Sequence, residues 1–125
     1  MNIPENLYYT PEHEWIRIEG ESACVGITDF AQSELGEIVF VDITTVGETL
    51  KAGVTFGSIE AVKTVSDLFM PASGNVVEMN PKLNDHPELV NDDPYGEGWI
   101  IKTTLTDSSE IAKLLTAEKY KALVG

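Results

Sequence analysis

Gly57-Ser-Ile-Glu-Ala-Val-Lys-Thr-Val-Ser-Asp-Leu-Phe-Met-Pro-Ala-Ser-Gly-Asn-Val-Val-Glu-Met-Asn80 sets one lysine, Lys63, between valines inside two strand-like segments. Strand-rich sequence usually turns on Asn-Gly, Asp-Gly or Gly-rich pairs, and Val62-Lys63-Thr64-Val65 contains none. A type I turn accepts most residues, so a bend is allowed here although composition does not demand one. An amine on a tight turn is a suitable handle for a covalently attached group.

Outward from this stretch, period-two alternation dominates the first hundred residues. Trp15-Ile-Arg-Ile-Glu and Ser22-Ala-Cys-Val-Gly-Ile predict two strands joined at Glu19-Gly20-Glu21. Thr28 to Gly36 predicts one short helix, with Thr28 as its cap, Asp29 at the positive end of the dipole and Gly36 as its stop. Strands are expected at 37–43, 55–62, 65–70, 75–80 and 99–105, with turn material at Thr45-Val-Gly-Glu and a polar Pro/Gly-rich loop from Asp85 to Gly98. The ending changes character. Asp107-Ser-Ser-Glu110 has capping-box spacing before a helical stripe of Ile111, Leu114 and Leu115, and Thr116 can cap a further turn through Leu123. Gly36-Glu-Ile-Val-Phe-Val-Asp42 and Gly74-Asn-Val-Val-Glu-Met-Asn80 share a pattern, which suggests a duplicated unit with an approximate two-fold axis and Lys63 on one of its end turns.

The chain has 125 residues, the size of one domain spanning 1–125, and its 42% apolar content is that of a soluble protein. No stretch approaches the roughly 18 apolar residues of a membrane span. The start, Met1-Asn-Ile-Pro-Glu-Asn, lacks the features of a signal peptide. Cys24 is the single cysteine, so no intramolecular disulfide is possible and a reducing compartment is expected; its Ser-Ala-Cys-Val-Gly-Ile context reads as a buried strand position. Net charge is −13, from 8 basic and 21 acidic residues, which excludes nucleic acid and anionic membranes and favours proteins with basic faces.

No catalytic constellation is visible. His13 and His86 lie in unrelated contexts without zinc spacing, and nucleophile-elbow, phosphate-loop and dinucleotide signatures are absent. Glu60 and Asp67 near Lys63 favour its ammonium form, which argues against a Schiff-base lysine. Acylation has no such requirement, because the modifying enzyme brings the activated acyl group.

Glu60-Ala-Val-Lys-Thr-Val-Ser-Asp67, Pro71-Ala-Ser-Gly74 and Val76-Val-Glu-Met-Asn80 resemble the lipoylation segment of glycine cleavage system H proteins. Tyr9-Thr-Pro-Glu-His-Glu-Trp15, Gly26-Ile-Thr-Asp-Phe-Ala-Gln32, Leu35-Gly-Glu-Ile-Val-Phe-Val41 and Asn91-Asp-Asp-Pro-Tyr-Gly-Glu-Gly-Trp99 are similar to that family's other blocks, in the same order. The resemblance implies a mainly β barrel-sandwich hybrid with short helices, a C-terminal helical segment, and no catalytic activity. It implies lipoic acid in amide linkage to Lys63. The arm would receive an aminomethyl group from a pyridoxal-phosphate-dependent glycine decarboxylase and present it to a folate-dependent aminomethyltransferase. A flavin dihydrolipoamide dehydrogenase would then reoxidise the arm, and a lipoylating enzyme, aided by Glu60, would attach it. Roughly a dozen bonds of about 1.5 Å give the arm a reach of ~14 Å.

Also by resemblance, the loaded arm would rest in a surface groove, with Glu14 and Asp67 holding the cationic amine and Ile27 and Leu35 forming an apolar wall. Glu12, Phe30, Glu34 and Leu68 would lie around it. The initiating Met without a targeting segment suggests a bacterial cytoplasm, with the mitochondrial matrix as the setting for a eukaryotic chain. Biotin carriers, which flank their lysine with methionines, and dehydrogenase lipoyl domains, with Asp-Lys-Ala, match Val62-Lys63-Thr64 less well. An H-like lipoyl relay protein and an unmodified interaction module are the remaining alternatives.

Overall fold

The computed structural model describes residues 2–125; Met1, the first residue of the N-terminal stretch read above, lies outside them. Two antiparallel sheets face each other. The larger has the order β1-β2-β3-β9-β8-β5, from β1 (Tyr8–Tyr9), β2 (Glu14–Glu19), β3 (Ser22–Ile27), β9 (Ile101–Leu105), β8 (Gly74–Met79) and β5 (Thr49–Leu50). The smaller is β4-β6-β7, from β4 (Ile38–Asp42), β6 (Thr55–Ala61) and β7 (Val65–Phe69). Inward-facing Ile16, Val25, Ile38, Val41, Phe56, Ile59, Leu68, Val76 and Ile101 fill the space between the sheets. The alternation in sequence predicted this, since period-two side chains line one face of a pleated strand.

Two strands of only two residues, β1 and β5, escape sequence reading because they are too short to show a period. The duplicated pattern falls on β4 and β8, which lie in different sheets. Thr28 caps α1 (Asp29–Leu35) as expected, its Oγ1 accepting from Ala31 N–H at 3.1 Å, and Gly36 ends it at φ 81°. The expected 85–98 loop contains the single turn α2 (Leu89–Asp92). Asn91 ties that turn to the end of α1 and the start of β4: its Nδ2 donates to Gln32 Oε1 and Gly36 C=O, and its Oδ1 accepts from Ile38 N–H.

The stripe around Ile111 forms a 3-10 turn over Ser108–Lys113, so the expected α-helix is absent there. Over one turn the two helices share their apolar spacing, and Leu115 leaves to pair with Tyr9. The capping box does not close either. Asp107 accepts from Ser109 N–H, but Glu110 reaches away to Ser73 N–H at 2.7 Å and Ser73 Oγ at 2.9 Å. Thr116 then caps α3 (Ala117–Val124), which lays Tyr120 flat against Tyr9, centroids 4.7 Å apart and planes at 7°.

Candidate functional site

Lys63 occupies the tip of the β6–β7 hairpin. Glu60 pairs with Val65, and Ala61 N–H donates to Thr64 C=O at 2.7 Å, leaving Val62 and Lys63 as the bend. His13 is the only non-glycine with positive φ among the described residues, so Val62 and Lys63 keep ordinary backbone and the primed hairpin turns are excluded. Two features hold the bend without glycine. Val62 N–H donates to Glu37 C=O at 3.0 Å, and Ala61 is buried while Val62 is 68% exposed. Lys63 is exposed and joins no ion pair among the described residues. Val39, Val62 and Val65 surround its base.

Alongside the same hairpin lies a cleft of about 260 Å³. Ile59, Ser66, Asp67 and Leu68 form its hairpin wall, and Phe30, Ala31, Glu34 and Leu35 of α1 with Glu12, His13, Glu14 and Ile27 form the other. All four groove residues named from the sequence, Glu14, Ile27, Leu35 and Asp67, therefore meet in one place, as do Glu12, Phe30, Glu34 and Leu68. Lys63 is not among the lining residues. Ser66, three residues along the strand, is roughly 10 Å away at 3.3 Å per residue.

β7 is an edge strand with β6 as its sole partner. In an antiparallel pair alternate residues point their amides at the neighbour, so Ser66 and Leu68 face β6 while Val65, Asp67 and Phe69 face outward. Phe69 N–H, the last of that outward set, donates to Glu14 Oε2 at 3.2 Å. Asp67 is exposed at the cleft's rim and also borders a shallow depression with Asp42 and Ser58 on the outer sheet face.

Glu14 is no solvated surface acid: it is 2% exposed. Besides Phe69 N–H it accepts from Thr10 Oγ1 at 2.7 Å, and no cation among the described residues pairs with it. Burial pushes its carboxyl up to about 7, against the pull of the Thr10 and Phe69 hydrogen bonds. The loop that delivers it, Thr10 to His13, is closed by Thr10 N–H to Glu14 C=O and His13 N–H to Thr10 C=O, both at 3.0 Å. His13 takes the left-handed conformation (φ 69°) that this closure needs, one that His adopts more readily than most side chains. Its ring packs on Phe30 at 4.8 Å, and burial lowers its pKa below the ordinary 6.5.

Sequence reasoning missed His13, Ala31, Ile59 and Ser66 as cleft residues, and Thr10 as the support of Glu14. Only the strand parity of Ile59 and Ser66 held a usable signal, since these two pair with each other. Cys24 is buried in β3, and burial pushes its thiol up to about 11, in keeping with a core position. No group of three or more metal-ligating side chains with suitable geometry occurs among the described residues.

A family model described as glycine cleavage H-protein matches residues 7–125. The glycine cleavage system H protein of Bacteroides thetaiotaomicron is 64% identical over 125 residues, covering 100% of this chain and 99% of that one. The protein of the same name from Geobacillus kaustophilus is 57% identical, covering 100% and 98%. The crystal structure of a glycine cleavage system H protein from Mycobacterium marinum superimposes with a TM-score of 0.87 at 44% identity, covering 96% of this chain and 97% of that one. The expected barrel-sandwich architecture is thereby met. Two facing antiparallel sheets, a lysine on a hairpin tip and a match over nearly the whole length lead to one assignment: the chain belongs to the glycine cleavage H-protein family.

Proposed function

We propose that this chain is the lipoyl carrier of a glycine cleavage system, with lipoic acid in amide linkage to Lys63. The observation that carries the proposal is a free amine on a convex hairpin tip whose own strand leads into a cleft with a buried, cation-free carboxylate. When attached, lipoic acid supplies a dithiolane that accepts and surrenders a one-carbon amine and cycles between disulfide and dithiol. The protein itself is a carrier and not a catalyst, as its family membership gives.

The chain's own residues do three things in this reading. The rigid hairpin presents Lys63 to a ligase and to the active sites of partner enzymes. Ile27, Leu35 and Leu68 exclude water from an arm lying in the cleft, whose nearest wall residue, Ser66, is within the arm's ~14 Å reach. Glu14 at the base and Asp67 at the rim hold a cationic amine there. For Glu14 the ammonium would supply the missing counter-charge, so burial that is costly for the empty site becomes a recognition device. The partners are a pyridoxal-phosphate-dependent glycine decarboxylase, a folate-dependent aminomethyltransferase, dihydrolipoamide dehydrogenase and a lipoylating enzyme. Residues 1–125 form a single carrier domain in this reading, supported by the family match over 7–125. A cytoplasmic setting accords with the bacterial relatives. No helix among the described residues is long and apolar enough to cross a membrane.

Intact mass after expression in a lipoate-competent host tests the attachment. The wild type should gain one lipoyl increment and Lys63→Ala none; a wild type without the increment would support an unmodified interaction module instead. Glycine-dependent bicarbonate exchange with purified decarboxylase then separates glycine cleavage from a lipoyl relay role, since a relay protein would carry the increment yet fail to support exchange.

A further inference from the structure

We infer that Tyr120, on the C-terminal helix α3, is a positioning residue for the cleft, its hydroxyl fixing the loop that carries Glu14 against helix α1. The inference rests on the cleft being the resting place of an amine-loaded arm. Tyr120 is fully buried, and its ring stacks on Tyr9; a phenylalanine would serve for that. The hydroxyl does something separate. It lies 2.9 Å from His13 Nδ1 and 2.7 Å from Thr28 Oγ1.

Those two partners belong to the two elements that form the wall facing β7. His13 lines the cleft, packs on Phe30 and directly precedes Glu14. Thr28 caps α1, which contributes Phe30, Ala31, Glu34 and Leu35. Thr28 N–H also donates to His13 C=O at 3.0 Å, so backbone and hydroxyl bonds together close a ring between loop and helix. A buried hydroxyl is costly unless paired, and this one is paired twice only while the loop and α1 keep their spacing. The last helix of the chain therefore fixes the shape of one wall of the cleft, the wall formed by residues near the chain's start.

Tyr120→Phe keeps the stack and removes the hydroxyl. In the unlipoylated protein, imidazole 15N NMR should show His13 as a single tautomer in the wild type and drifting toward the free-imidazole mixture in the variant. In the lipoylated, amine-loaded protein, formaldehyde release by hydrolysis should be roughly tenfold faster in the variant, a factor within the range expected when the two buried hydrogen bonds of this hydroxyl are lost. Tyr9→Phe is the control: it belongs to the same stack, but its hydroxyl donates to Pro4 C=O and hydrogen-bonds no cleft residue, so release should stay at the wild-type rate. Should Tyr120→Phe fail to fold, the wild-type spectrum decides alone: a single His13 tautomer supports the inference, and a His13 imidazole already at the free-imidazole mixture overturns it. Wild-type release rates in Tyr120→Phe, or equal acceleration by the Tyr9 control, overturn the inference. If the wild-type loaded arm hydrolyses as fast as loaded lipoamide free in solution, the resting-place reading of the cleft falls as well, on the wild type alone.

Discussion

Glu14 shows how much one buried carboxyl changes the behaviour of the chain. Its pKa is raised from the ordinary 4.5 to about 7, chiefly by burial. Between those values the folded protein holds a proton that the unfolded chain has released. Stability therefore falls as pH rises through this window, by about 3 kcal/mol if the whole shift is expressed. Chemical denaturation of wild type and Glu14→Gln across that range should show the wild type losing about this much relative to the variant; parallel pH profiles would remove Glu14 as the source. His13, whose lowered pKa acts in the opposite direction, is common to both proteins and subtracts out. In sequence, Glu14 was visible as an acid within His13-Glu14-Trp15. Its burial was not, because that depends on Phe69, 55 residues away, meeting it across the gap between the sheets.

The β6–β7 hairpin is the element on which the proposed attachment at Lys63 depends, and its geometry is set by close backbone approach. Gly57 sits where a Cβ would come within 2.5 Å of Asp42 C=O and of Ile43 Cδ1. Since the backbone oxygen cannot move without shifting β4, Gly57→Ala should cost about 1–3 kcal/mol, read as a lower denaturation midpoint. Lipoylation of the folded fraction at Lys63 should persist, as the bend lies at the other end of β6. The same pairing explains a feature that alternation could not resolve. A register shift between Ile38 and Phe40 turns both Val39 and Phe40 outward, at 41% and 51% exposure, while Ile38 and Val41 face the core. Four consecutive apolar residues, Ile38 to Val41, show a strand in sequence but not its inward face; only the pairing with β6 decides which two are exposed.

Across the whole molecule, a net charge of −13 governs encounter more than folding. The outer face of the small sheet carries Asp42 on β4, and Glu60 and Asp67 on the hairpin that presents Lys63. Complementary basic faces on partner enzymes should make carrier association salt-sensitive. Raising ionic strength from roughly 0.05 to 0.5 M shortens the screening length several-fold. In the decarboxylase exchange assay, the apparent KM for this carrier should then rise while kcat holds; a KM indifferent to salt would exclude electrostatic steering. The longer strands, the capped α1 and α3 and the family blocks were written in local composition and spacing, because period and caps act over a few neighbouring residues; the bend at Lys63 was only allowed by its composition, and the bond from Val62 N–H to Glu37 C=O helps hold it. What required the tertiary structure was convergence. The burial of Glu14, the open edge of β7 beside α1, and the bond from Tyr120 to His13, 107 residues apart, arise only when two sheets and a terminal helix pack together. Burial, and the charge behaviour it imposes, belongs to that packing and to no local stretch of chain.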